Sequence, residues 1–210
     1  INISAGKALL EYPIVQTALQ LLAINNEKLT TEQLTLLLTS PFIANADSER
    51  DQRSQIARNM REKNINTLKS NELAPIFARA PKLLEHINTF ISKIENSKQQ
   101  HYFSWAAHFN VLLATIGWPG EKTLNSEEYQ VVEHWLQLLD QLSSLDYTQS
   151  ITTFSQALFT LKKMAANHIF QPQSPESSIN VLGLLEAAGS PFDKMWVSGM
   201  NEIVWPPQPK

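Results

Sequence analysis

Four arginines, Arg50, Arg53, Arg58 and Arg61, share one polar stretch, 47–63, that has only Ile56, Ala57 and Met60 to pack beneath it. On a helical wheel Arg50, Arg53 and Arg61 fall within a narrow arc. Guanidinium forks so arranged suit successive phosphates of a nucleic-acid backbone, because each donates paired hydrogen bonds to phosphate oxygens. These three are the DNA-binding candidates. The competing assignment is a solvated face laced by pairs such as Glu49 with Arg53, since Glu49, Asp51 and Glu62 dilute the charge.

Other chemistries find no residues to carry them. Gly6-Lys7 lacks the glycine five positions earlier that a phosphate-cradling loop needs, and Ala8 follows where Ser or Thr would hold Mg²⁺. No carboxylate stands two residues before a lysine, the spacing of restriction-like nucleases. His86, His101, His108, His134 and His168 include no i, i+4 ligand pair, and without Cys there is no thiol nucleophile or thiolate metal site. No catalytic residue, metal ligand or cofactor is therefore assigned. Glu186 is the most notable carboxylate, set in a polar crossover with Gly189 and Pro191.

The elements that must position these residues are helical for most of the length. Pro13 suits a first helical turn, followed by Ile14, Val15, Ala18, Leu19 and Leu22 on one side. Thr30 with Gln33 forms a capping box ahead of Leu34, Leu37 and Leu38, and Ser40-Pro41-Phe42 stops that helix. Asp47 or Ser48 is expected to cap the arginine helix through about Lys63. A short helix follows over Asn71–Arg79, and Pro81 opens another on Leu84, Ile87, Phe90, Ile91 and Ile94. After a polar loop at Glu95–Gln100, the next helix carries Tyr102, Trp105, Ala106, Phe109, Leu112, Leu113 and Ile116 and ends at Gly117-Trp118-Pro119-Gly120. Asn125 with Glu128 caps a helix whose inner face is read as Tyr129, Val132, Trp135, Leu136, Leu139 and Leu142. A last helix spans roughly Ser150–His168 on Phe154, Leu158, Leu161, Met164 and Ala165, and Phe170–Ser178 is a Pro/Ser-rich linker. Both ends read as strand: Ile1–Gly6, Ile179–Leu182 and Met195–Val197 are short apolar runs fenced by Gly, Pro and Asp.

Composition sets the outer limits. The 210 residues are 43% hydrophobic and 18% charged, a globular balance, with a formal net charge of -3. No overall basic field advertises nucleic acid, so any DNA contact has to be local or made by another part of a larger assembly. The lack of Cys fits a reducing, cytoplasmic setting, and no apolar run is long enough to span a bilayer. The ends at Ile1 and just beyond Trp205-Pro206-Pro207 lead us to expect a piece of a longer polypeptide.

Residues 179–207 resemble motif V and the following strand of superfamily-1 helicases of the UvrD/Rep type. Gly189, Phe192, Val197, Gly199, Met200, Glu202, Trp205 and Pro206 fall at matching positions without a gap. The phrase Leu184-Leu185-Glu186-Ala187-Ala188-Gly189, with Trp196-Val197-Ser198-Gly199-Met200 after it, is more similar still to AddB-like probable DNA repair proteins. The Gly117–Gly120 turn with Leu124–Gln130, and the Ser40-Pro41-Phe42 turn, resemble the same family. Gly183 stands where active helicases carry Thr, Leu185 where they carry His and Ala188 where they carry Lys. The resemblance therefore implies a degenerate motor site, with Gly183, Glu186, Gly189, Phe192 and Gly199 as its motif V-like positions.

The same resemblance implies an architecture: a mainly α fold, with a helical 2B-like subdomain of about seven helices inserted into a small α/β, RecA-like 2A remnant formed by the two ends. The remnant would be 1–6 with 178–210, and the helical domain 7–177. The implied function is a non-catalytic module of a DNA repair or recombination protein of the helicase-nuclease type, positioning DNA or a partner subunit. ATP and Mg²⁺, and helicase or exonuclease hydrolysis, would belong to the parent protein only. The alternatives are the 2B region of an active ATP-dependent helicase, or a helical interaction module unrelated to DNA.

Overall fold

The structure, a computed structural model, describes residues 2–3, 6–24, 29–94, 99–147, 151–172 and 179–199. It is mainly helical with short strands, and it divides into two units, 6–173 and 1–5 with 174–210.

In the larger unit, α1 (Pro13–Ala23) begins with proline in its first turn and buries Ile14, Val15, Ala18, Leu19, Leu21 and Leu22. Apolar residues on nearly every side make it the central helix, and later helices pack around it. A two-residue strand β3 (Leu29–Thr30) leads into α2 (Thr31–Thr39). Thr30 Oγ1 accepts from Gln33 N at 3.2 Å, and Thr30 N donates to Gln33 Oε1 at 2.8 Å. That box satisfies two otherwise orphan donors, a contribution of about 1 kcal/mol. β3 pairs antiparallel with β4 (Thr67–Leu68), which follows α3 (Arg50–Glu62). The expected Asp47 or Ser48 cap is not used: α3 starts at Arg50 with Glu49 as its cap residue, and Ser48 Oγ donates to Asn45 O instead.

A 3-10 turn at Ser70–Glu72 runs into α4 (Leu73–Phe77), then α5 (Pro81–Ile94) and α6 (Tyr102–Thr115). The expected inner residues of α6 are all buried, and Trp105 and Phe109 each meet Phe154 edge-on, at 5.5 and 5.2 Å between centroids. α7 (Ser126–Ser143) has its Asn125/Glu128 box at 2.8 and 3.0 Å. Its buried face is Val131, Trp135, Leu138, Leu139 and Leu142, whereas Tyr129 and Leu136 are 58% and 42% exposed. Apolar residues on both flanks of Trp135 allowed either reading. The Trp135 indole packs at a tilt against Trp118, and Val131 and Leu138 are buried beside it.

α8 (Phe154–Asn167) is capped by Thr153, and its last carbonyls lead directly into β5 (Ile169–Phe170). β5 pairs antiparallel with β2 (Lys7–Ala8), so the start of the expected linker is a strand. Residues 173–178 of that linker lie outside the described residues. In the smaller unit, β1 (Asn2–Ile3) pairs parallel with β6 (Asn180–Val181), each inside a run read as strand, and α9 (Leu184–Ala187) follows. Met195–Val197 is not a strand. Met195, Trp196 and Val197 are 62%, 94% and 54% exposed, and no described residue offers them a ladder. A short apolar run without a partner strand leaves its backbone groups to water.

Candidate nucleic-acid interface

α3 and the segment after it form the basic part of an acidic chain. Residues 45–82 carry eight Lys and Arg against five Asp and Glu, while the whole chain is at -3. The helix packs Ile56, Ala57 and Met60 inward, so the polar positions between them are forced outward. Arg61 is exposed, and its Nε donates to Ala57 O at 3.2 Å, which anchors the stem and leaves the fork outward. Arg50 is exposed and paired with Asp47 across one turn. Arg58 is exposed and its Nε donates to Glu62 Oε1 at 2.7 Å; the carboxylate raises the already high pKa of the guanidinium. Such exposed pairs are weak and exchange readily for a phosphate.

Arg53 overturns its assignment. It is 1% exposed, so it presents nothing to a phosphate. Its Nη2 donates to Ala44 O at 2.6 Å and to Glu49 Oε2 at 3.3 Å. Glu49, 4% exposed, accepts in turn from Lys82 N at 2.8 Å and Leu83 N at 3.1 Å, the first-turn amides of α5. The carboxylate thus caps a helix 33 residues away in sequence, where the amide dipoles favour an anion. Burial pushes the Arg53 pKa down, while Glu49 and Glu121 oppose the shift. The Glu49–Arg53 pair read from sequence is real, but it is a buried tie between α3, α5 and the 40–45 turn rather than part of a solvated lace.

Lys63, Lys69, Arg79 and Lys82 complete the exposed cations of this segment, and none of them forms an ion pair among the described residues. Sequence reasoning passed over them because they lie beyond the helical arc. The window charge of 45–82 was the signal that could have found them. The candidate site therefore draws its exposed cations from α3, the segment after it and the first turn of α5.

The motif V-like residues sit in the smaller unit and behave differently. Gly183 is the cap of α9, and its N donates to Glu186 Oε2 at 3.0 Å, so these two are brought together. Gly189, Phe192 and Gly199 are exposed, and a Cβ at Gly189 or Gly199 would meet nothing. Met200, Glu202, Trp205 and Pro206 lie outside the described residues.

The two turns singled out in sequence touch each other. A Cβ on Gly117, whose φ is +71°, would lie 2.4 Å from Ala44 Cβ, and one on Gly120 would lie 2.4 Å from Pro41 O. Trp118 is 8% exposed and its Nε1 donates to Ile14 O at 3.0 Å, which makes it a core residue rather than a base-stacking one. The described residues contain no group of three or more His, Asp or Glu suited to a metal, and no helix among them is long and apolar enough to cross a membrane. The chain matches no known family profile, no curated protein and no solved structure.

Proposed function

We propose that this chain is a non-catalytic module that positions DNA, within a repair or recombination protein of the AddB-like, helicase-nuclease type. The observation that carries the reading is the exposed cationic surface of α3 and its following turns, Arg50, Arg58, Arg61, Lys63 and Lys69, on a chain whose net charge is negative. Lys and Arg that neutralise phosphates release condensed counterions, so such a surface binds duplex backbone without reading bases. The helical unit would correspond to a 2B-like insertion and the smaller unit to part of a 2A-like lobe. Gly183, Leu185 and Ala188 support a lobe that no longer couples nucleotide to DNA, with ATP and Mg²⁺ chemistry left to other parts of the parent. Fluorescent duplex and tailed DNA titrated across a salt series test this. Binding should weaken steeply with salt and fall in Arg50→Ala/Arg58→Ala/Arg61→Ala. Binding unaffected by that triple change would refute the surface.

A second reading, docking of a protein partner, is favoured by α6. That helix contains no Asp, Glu, Lys or Arg, yet Phe103, Ala107, Val111 and Ala114 are exposed along one stripe, with Phe103 at 66%. An uncharged exposed stripe is a common mark of an interaction surface. Retention of a partner by Phe103→Ser/Val111→Ser at wild-type affinity would remove this reading.

A further inference from the structure

In the larger unit both chain connections pass through one small ladder. β2 and β5 pair Lys7 with Phe170 and Ala8 with Ile169, and Leu9 N donates to His168 O at 2.8 Å. His168 is also the C-terminal cap residue of α8, its own N donating to Met164 O. His134 ties this corner to α7: its Nδ1 lies 3.1 Å from His168 Nε2, and its ring rests 4.3 Å from the Phe170 ring.

A nitrogen–nitrogen hydrogen bond between two imidazoles needs one N–H and one lone pair. Two neutral rings supply them, and so does one neutral ring with one protonated ring. Two protonated rings do not, because both facing nitrogens then donate and both rings are cationic. We infer that the His134–His168 pair is a proton-controlled latch on the β2–β5 ladder, closed while the two rings together carry at most one proton beyond their neutral state and released by the second, which puts an N–H on both facing nitrogens.

The surroundings set how far that second proton is resisted. α7 carries Glu133 next to His134 and Glu127 two turns earlier. The 3-10 turn before α1 carries Glu11, the Tyr12 phenol heads α1, β2 carries Lys7, and α8 carries Lys162 and Lys163. Burial, then His168, oppose protonation of His134, Glu133 favours it, and the opposition prevails. The folded pKa of His134 lies below its unfolded value of about 6.5, so the contribution of this ring is present above that pH and lost as pH falls through the depressed folded value.

The test is a proton NMR titration of the whole chain from pH 8 to pH 5, following the Cε1–H of both rings and the exchange of the Leu9 amide. The pair should titrate in two steps separated by more than roughly one pH unit. Leu9 protection, corrected for intrinsic rate, should fall about tenfold across the second step. His134→Asn retains an amide near the position of Nδ1 but cannot titrate, and it should hold Leu9 protection at pH 5. Two independent single-step titrations in the wild type would overturn the latch even if the variant failed to fold. So would equal loss of Leu9 protection at pH 5 in the wild type and His134→Asn.

Discussion

Arg53→Ala separates architecture from binding within one helix. The guanidinium is 1% exposed and joins Ala44 O at 2.6 Å to Glu49 Oε2 at 3.3 Å. Its removal leaves Ala44 O without that donor and leaves Glu49 an anion at 4% exposure with the amides of Lys82 and Leu83 as its remaining partners. Removing one member of a buried ion pair costs about 3–5 kcal/mol, because the other charge stays desolvated. A domain of this size loses about 2–4 °C of Tm per kcal/mol, so the drop should be on the order of 10 °C. Urea unfolding should show a lower midpoint with an unchanged slope. Arg61→Ala, on the solvent side of the same helix, should leave Tm near wild type. Arg53→Met/Glu49→Gln should recover part of the Arg53→Ala loss, since the amide oxygen can still accept from the first-turn amides of α5 while the stranded charge is removed. A Tm shift for Arg53→Ala no larger than that of Arg61→Ala would refute the assignment of Arg53 as a structural tie.

Two other perturbations follow from the geometry. Gly117→Ala should cost about 2–4 kcal/mol in urea unfolding, because an L side chain at φ +71° is strained and its Cβ collides with Ala44 at 2.4 Å; stability within error of wild type would contradict that packing. His108 has its Nε2 buried without a hydrogen-bond partner, and burial, then Lys93, push its pKa down. Its folded value lies below the unfolded one of about 6.5, so its share of stability is present above that pH and lost as pH falls through the folded value. His108→Gln should therefore flatten the fall of the urea midpoint between pH 7 and pH 5, and an unchanged profile would show that His108 does not contribute.

Much of the helical unit was legible because local rules and tertiary packing agree there. Pro13, the Thr30/Gln33 box and the Asn125/Glu128 box mark helix starts that the structure keeps. α6 followed because its buried positions recur at helical spacing. The errors lie where a local pattern had two solutions. α7 has apolar residues on both flanks of Trp135, and only its packing against α6, α8 and α1 selects Val131 and Leu138 over Tyr129 and Leu136. Arg53 was misplaced because a helical wheel gives angular position and says nothing about what covers that angle. The amides at the start of α5, far along the chain, draw Glu49 inward and Arg53 with it. The β2–β5 ladder escapes sequence reading because two residues per strand carry no periodicity, and Met195–Val197 misleads because apolar composition cannot supply a neighbouring strand.

The central claim is that α3 presents a phosphate-binding surface, and equilibrium binding to a fluorescent duplex at several salt concentrations tests it most directly. The expected plot of log affinity against log salt is linear and steep. Its slope should become shallower by roughly one for each phosphate left without its cation in Arg50→Ala, Arg58→Ala and Arg61→Ala. Arg53→Ala, studied well below its Tm, should retain the wild-type slope. No binding at low salt, or a slope that changes with Arg53 and not with Arg61, would contradict the account.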